Sequence, residues 1–132
     1  LLMGVAFELD MEPIPCPRPK VSRSGRVFYP GRYSNWKSRA NMMLGPVLAS
    51  AGILRPWRGP LMLSVDFYVA RPKTTQLDYP HPDIDNYVKS IMDALTGLAW
   101  EDDRQVVALR ATKNWNVDND KSYHYIQLSR IE

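Results

Sequence analysis

Leu61, Leu63, Val65, Phe67 and Val69 alternate along the chain, whereas from Ile84 onward the apolar positions recur at helical spacing. The first pattern, period two, marks a half-buried strand. The second, through Val88, Ile91, Leu95 and Leu98, lays one apolar stripe along a helix. A chain that changes period in this way is committed to a sheet with helices packed on it. The remaining signals agree. Val5, Phe7, Leu9 and Met11 alternate as a further strand, and Pro13, Pro15, Pro17 and Pro19 then end regular structure. The segment KVSRSGRVFY, with Ser24-Gly25 as its turn, reads as an exposed basic hairpin.

Ser34 is positioned to cap a helix through WKSRANMML, with Trp36, Ala40, Met43 and Leu44 on one face. Pro46 lacks the amide hydrogen its turn requires and is expected to end or kink that helix. Asp83, following Pro82, is a good cap for the second helix, and Gly97 marks its C-terminus. Residues 105–115 and 122–131 read as two more strands, joined by the turn-rich NVDND into a hairpin. The expected architecture is a small mixed β-sheet with helices packed on it, α/β (α+β) in class. A chain of 132 residues suits a single domain over 1–132.

Charge is unevenly spread. From Pro13 to Val65 there is no acidic residue, and residues 1–60 carry nine basic side chains against three acids. Residues 61–132 reverse the balance, with eleven acids and eight bases, six of the acids falling between Asp83 and Asp103. A one-signed basic half points to a polyanionic partner, because each Lys or Arg placed on a phosphate releases a condensed counterion. A solubilising surface alone gives no reason to exclude acids over so long a stretch. No apolar run approaches the ~20 residues of a spanning helix, so no membrane partner is expected. The single cysteine, Cys16, and the absence of a basic leader favour a cytoplasmic location.

The acids cluster as D-I-D-N at 83–86 and E-D-D at 101–103, with Lys89 and Asp93 between them. If the loop after the helix returns to the helix start, Asp83, Asp85, Asp102 and Asp103 can face one another across a pocket. Such packing is costly: two carboxylates ~4 Å apart repel by about 4 kcal/mol at an effective dielectric near 20. A bound cation relieves that repulsion, and an all-oxygen set selects Mg²⁺ or Mn²⁺ over zinc. Each piece also has a plainer reading. Asp83 suffices as a cap, Lys89 and Asp85 as a surface pair, Asp93 as a structural partner of Lys89 or of a neighbouring loop, and 101–103 as a solvated turn. His81 and His124 stand isolated. An EF-hand is excluded because Tyr87 and Val88 occupy its fifth and sixth positions, and no phosphate-loop motif occurs.

HPDIDNYVKSIMDALTGLAWEDDRQVV, residues 81–107, resembles the signature block of the RusA family of Holliday-junction resolvases. The basic segment PRPKVSRSGRVFYP is similar to the N-terminal part of phage-type members. His81-Pro82 stands where some members carry Arg or Lys. The resemblance implies a homodimeric, Mg²⁺-dependent endonuclease, bacterial or phage-encoded, that resolves four-way DNA junctions by paired symmetric nicks in recombination and repair. Its metal-binding aspartates correspond to Asp83, Asp85 and Asp103, with Asp102 beside them, its catalytic lysine to Lys89, and its motif asparagine to Asn86. Arg18, Lys20, Arg23, Arg26, Arg71, Lys73 and Lys113 are then the expected DNA-backbone contacts. Three other readings compete: a flap-directed nuclease, a non-catalytic DNA-binding module, and a two-carboxylate glycosidase needing no metal.

Overall fold

The computed structural model describes residues 2–131. Four strands form the main sheet: β1 (Leu2–Leu9), β4 (Leu61–Ala70), β5 (Val106–Asn116) and β6 (Tyr123–Ile131). A two-stranded ribbon, β2 (Lys20–Val21) with β3 (Val27–Phe28), stands apart from it, and the helices are α1 (Gly31–Ser50) and α2 (Ile84–Leu95). The mixed sheet with helices on it is the expected class. Its order, β1-β6-β4-β5, corrects one expectation: β5 and β6 do not form a hairpin. β4 lies between them, parallel to β5 and antiparallel to β6. The physical reason is hydrophobic. β4 carries the most continuous apolar pattern, so the sheet centre is where it buries best, and the parallel β4–β5 pair requires the crossover that α2 supplies.

Registration turns the sequence alternation into rows across the sheet. Leu9, His124, Phe67 and Lys113 share one row; Phe7, Ile126, Val65 and Ala111 the next; Val5, Leu128, Leu63 and Leu109 a third. These rows face the helices. α1 covers them with Tyr33, Trp36, Ala40, Leu44 and Leu48, and α2 with Val88, Ile91, Ala94 and Leu95. The opposite face is polar: Asp66 accepts hydrogen bonds from Arg110 Nη1 (3.0 Å) and Thr112 Oγ1, as expected of a sheet packed on one side.

α1 departs from its sequence reading at both ends. It starts at Gly31 behind Pro30, with no side-chain cap, and it runs through Pro46 to Ser50. Leu44 and Leu48 are both buried, on either side of the proline, and their burial holds the last turns on despite one missing hydrogen bond.

His124 occupies the centre of the core, fully buried, its ring 5.3 Å from Phe67 and 6.0 Å from Trp36. Neither ring nitrogen has a hydrogen-bond partner among the described residues. Burial therefore pushes its pKa down to about 4 from 6.5, the nearby backbone of Leu9 and Met11 offsetting only part of the shift. A histidine held neutral in the folded state stabilises the protein fully above the unfolded pKa. That contribution is lost as pH falls from about 6.5 toward 4, because the unfolded chain binds the proton first. Urea unfolding at stepped pH should show a loss on the order of 3 kcal/mol across this window. The dependence should vanish in His124→Phe; an unchanged dependence there would assign it to other groups.

Candidate active site at the start of helix α2

Pro82 and Asp83 set the beginning of α2. Asp83 is extended (φ −64°, ψ 139°), and its carbonyl accepts from the amides of Asn86 (3.1 Å) and Tyr87 (3.3 Å). Its carboxylate makes no capping hydrogen bond, so the plain capping explanation does not account for the side chain. Asp85 Oδ1 lies 3.0 Å from the donating Asn86 amide. Both aspartates are exposed and line one cleft of about 560 Å³, together with Cys16, Arg18, His81 and Asn86. The helix N-terminus favours negative charge here through its unpaired amides.

The cleft walls are held by specific bonds. The Cys16 amide donates to the Asn86 carbonyl (2.9 Å), and Ser90 Oγ donates to the Ile14 carbonyl, tying the proline-rich segment to α2. On the other side, Lys113 Nζ donates to the carbonyls of Pro80 (2.9 Å) and Pro82 (2.8 Å), and Trp115 Nε1 to that of Leu77 (3.0 Å). β5 thereby anchors the long connection that delivers Asp83. Lys113, expected as a DNA-backbone contact, instead spends its ammonium on positioning that connection.

Asp85, Lys89 and Asp93 form one row along α2, four residues apart. Lys89 pairs with Asp93 (3.0 Å) rather than Asp85, and the Asp93 hydrogen bond holds its pKa above the ordinary lysine value. It is a cation at neutral pH, suited to stabilising anionic charge and unsuited to taking a proton. Asp93 also accepts from Tyr33 Oη (2.7 Å), whose phenol burial and this bond keep protonated. Of the two partners the sequence left open for Asp93, Lys89 or a neighbouring loop, the structure gives Lys89, and it adds Tyr33, which the sequence did not suggest. The available signal was its place in the Tyr33-Trp36-Ala40 stripe, where a buried phenol needs a polar partner.

The second acid cluster does not join the first. Asp103 Oδ1 accepts from Thr96 Oγ1 and, at 3.3 Å, from Trp100 Nε1, both at the C-terminal end of α2. Asp102 caps the single 3₁₀ turn Asp103–Gln105 by accepting from the Arg104 amide (3.0 Å). Gln105 Oε1 accepts from the amides of Glu101 and Asp102, closing the turn. The twelve residues of α2 span about 18 Å, so Asp83 and Asp103 lie far beyond one ion's reach within a chain. Among the described residues no three His, Cys, Asp or Glu side chains form a metal-holding group. The expected four-aspartate pocket is therefore corrected to two sets at opposite helix ends. The loop leaving α2 folds back on Thr96 and Trp100 because the indole and hydroxyl there offer the carboxylate two donors.

Asp83 and Asp85 alone still suit Mg²⁺. They are hard oxygen donors opening on the same solvent-filled cleft, and Mg²⁺ keeps several waters, taking one or two carboxylates plus substrate phosphates. The expected cationic contacts Arg18, Lys20, Arg23, Arg26, Arg71 and Lys73 are all exposed. Arg18 sits on the cleft wall, and Lys20, Arg23 and Arg26 belong to the ribbon and its turn. Arg71 and Lys73 lie on the long connection.

Residues 10–122 match the family model described as endodeoxyribonuclease RusA. Over 122 residues the chain is also 30% identical to uncharacterized protein YqaN of Bacillus subtilis (strain 168), covering 83% of this chain and 86% of that protein.

Proposed function

The chain belongs to the RusA family of endodeoxyribonucleases, and from that premise we propose that it resolves four-way DNA junctions by paired, Mg²⁺-dependent nicks. The observation that carries the reading is the pair of uncapped, exposed carboxylates, Asp83 and Asp85, opening on a cleft beside Arg18 and Asn86. Asp83 and Asp85 would hold the cation, with Mn²⁺ able to substitute. Bound there, a divalent ion acidifies water and neutralises charge on the phosphate under attack. Arg18 and Asn86 then position the DNA backbone in the cleft. Lys89, held protonated by Asp93, balances developing negative charge one turn further along α2. Lys113 acts at one remove, keeping the Pro80–Pro82 backbone that presents Asp83 in place.

Symmetric nicking needs two such sites related by a two-fold axis, hence a homodimer. Two features favour self-association through β5. It is an edge strand of eleven residues, and Val107 and Leu109 stand exposed on it, Leu109 at the end of a core-facing row. Asp103 can belong to the cation-holding set only across such a subunit boundary, given the length of α2. No helix among the described residues is long and apolar enough to cross a membrane, and the proposed site of action is cytoplasmic DNA.

The test is a nicking assay on a fixed four-way junction, a flap and a plain duplex, each with Mg²⁺ and with chelator. Paired nicks in the junction alone, with Mg²⁺ alone, are expected. Flap cleavage at a similar rate would replace the reading with a broader structure-directed nuclease. Junction binding without nicking in Mg²⁺ or Mn²⁺ would leave a DNA-binding module, a role in which Asp102, Asp103 and Lys113 would keep the structural bonds they make here.

A further inference from the structure

The β2–β3 ribbon carries apolar side chains that stand well out of the core. Its register pairs Val21 with Val27 and Lys20 with Phe28, so the valines share one face of the ribbon and Phe28 shares the other with Lys20. Val21 is 67% exposed, Val27 61% and Phe28 43%, and all four strand residues are exposed. A ribbon of two residues per strand is too small to be held by its own burial. It is held instead by its turn and its root. The Ser22 amide donates to the Arg26 carbonyl (2.8 Å), the Arg26 amide to Ser22 Oγ (3.1 Å), and the Gly25 amide to the Ser22 carbonyl (2.9 Å). Gly25 adopts φ 84°, which a side chain would oppose. At the root, Tyr29 packs against Tyr33 at 5.4 Å, and Tyr33 bonds Asp93, the partner of Lys89. The ribbon is thus a preformed projection whose base connects to the row of side chains beside the cleft.

Its charge identifies the occupant. Arg18, Lys20, Arg23 and Arg26, all exposed, flank the apolar residues along the chain, and no acid lies in the sequence between Pro13 and Val65. Apolar side chains in a rim of guanidinium and ammonium groups complement a ligand with flat apolar faces inside an anionic frame. Unstacked base pairs at a branch point between phosphate backbones have that chemistry; an intact duplex hides its base faces. Apolar wedges set among basic residues open base steps in this way.

We propose that the ribbon is a wedge, with Phe28 stacking on the bases at the centre of branched DNA and Val21 and Val27 packing against them, while the nearby arginines and lysine hold the flanking phosphates. The proposal rests on the junction-directed reading above and adds to it the element that tells a branch from a duplex.

The test uses the full chain in Ca²⁺, to hold DNA uncut, with 2-aminopurine placed either at the branch point of a fixed four-way junction or mid-arm. Wild type should raise branch-point fluorescence and leave the mid-arm probe unchanged. In the triple variant Val21→Ser, Val27→Ser, Phe28→Ser the rise should disappear. The preference for junction over duplex should fall by about tenfold, the worth of losing one base stacked on Phe28. Because these residues are exposed, the variant should keep the wild-type Tm. An unchanged fluorescence rise and preference in the variant would overturn the wedge alone. Failure of wild type to prefer the junction at all would overturn both the wedge and the junction reading. Loss of the fluorescence rise in Arg23→Ala, Arg26→Ala with the triple variant still active would assign the opening to charge, and would likewise overturn the wedge.

Discussion

Asp83→Asn and Asp85→Asn should each lower junction nicking by about 10³-fold while leaving junction affinity equal or tighter. The magnitude follows from what the two carboxylates are asked to supply. A cation that neutralises phosphate charge is worth several kcal/mol of barrier, and ~4 kcal/mol is about 10³ in rate. Asparagine preserves the volume and one oxygen of each side chain but removes the charge that makes it a strong ligand for a hard divalent ion. The direction of the binding change has the same origin, since each substitution deletes a negative charge facing a polyanion. Neither residue supports the fold: Asp83 makes no capping bond, and Asp85 contacts only the adjacent amide. Thermal unfolding should therefore be close to wild type. Single-turnover nicking together with equilibrium binding separates the outcomes, and retained cleavage in both variants would end the assignment.

Trp100→Ala should produce the largest loss of stability. Trp100 is fully buried and bolts three elements together. Its indole donates to Thr96 Oγ1 (2.9 Å) and to Asp103, its carbonyl accepts from the Gly97 amide (2.7 Å), and it bridges to Trp57 and Thr96. Truncating a buried tryptophan costs about 3–5 kcal/mol, a large part of the 5–15 kcal/mol of a typical domain. Trp100→Phe refills most of the volume and withdraws the N–H, so its cost should be nearer 1 kcal/mol. Urea midpoints read both. A Trp100→Ala midpoint close to wild type would mean that Asp103 and Thr96 hold the end of α2 without it. Asp103→Asn keeps an acceptor for both donors, so it should cost little stability; any effect it has on nicking then reports on chemistry.

Much of this arrangement is legible in the sequence because it depends on local periodicity. The alternation from Leu61 gives β4, the helical stripe from Ile84 gives α2, and Ser24-Gly25 gives the turn of the ribbon. What escapes is nonlocal. NVDND between two strands signals a turn, but nothing local to it shows that β4 will enter between them. Pro46 is a helix breaker by its own chemistry, and only the burial of Leu44 and Leu48 against the sheet overrides it. The fate of the second acid cluster is the most instructive case. The spacing of Asp103 from Asp83 permits a return to the helix start, yet Thr96 and Trp100 capture Asp103 where α2 ends. The family resemblance marked Lys113 as a phosphate contact, and only the sheet register shows that its row at the edge aims it at Pro80 and Pro82.

Mn²⁺ binding followed by electron paramagnetic resonance, on wild type and on the Asp83→Asn, Asp85→Asn double variant, each with uncleavable junction present, addresses the cation site without relying on turnover. Saturable binding to wild type that is lost in the double variant is the predicted result. Equal Mn²⁺ occupancy in the two proteins would place the ion elsewhere and contradict the assignment of Asp83 and Asp85.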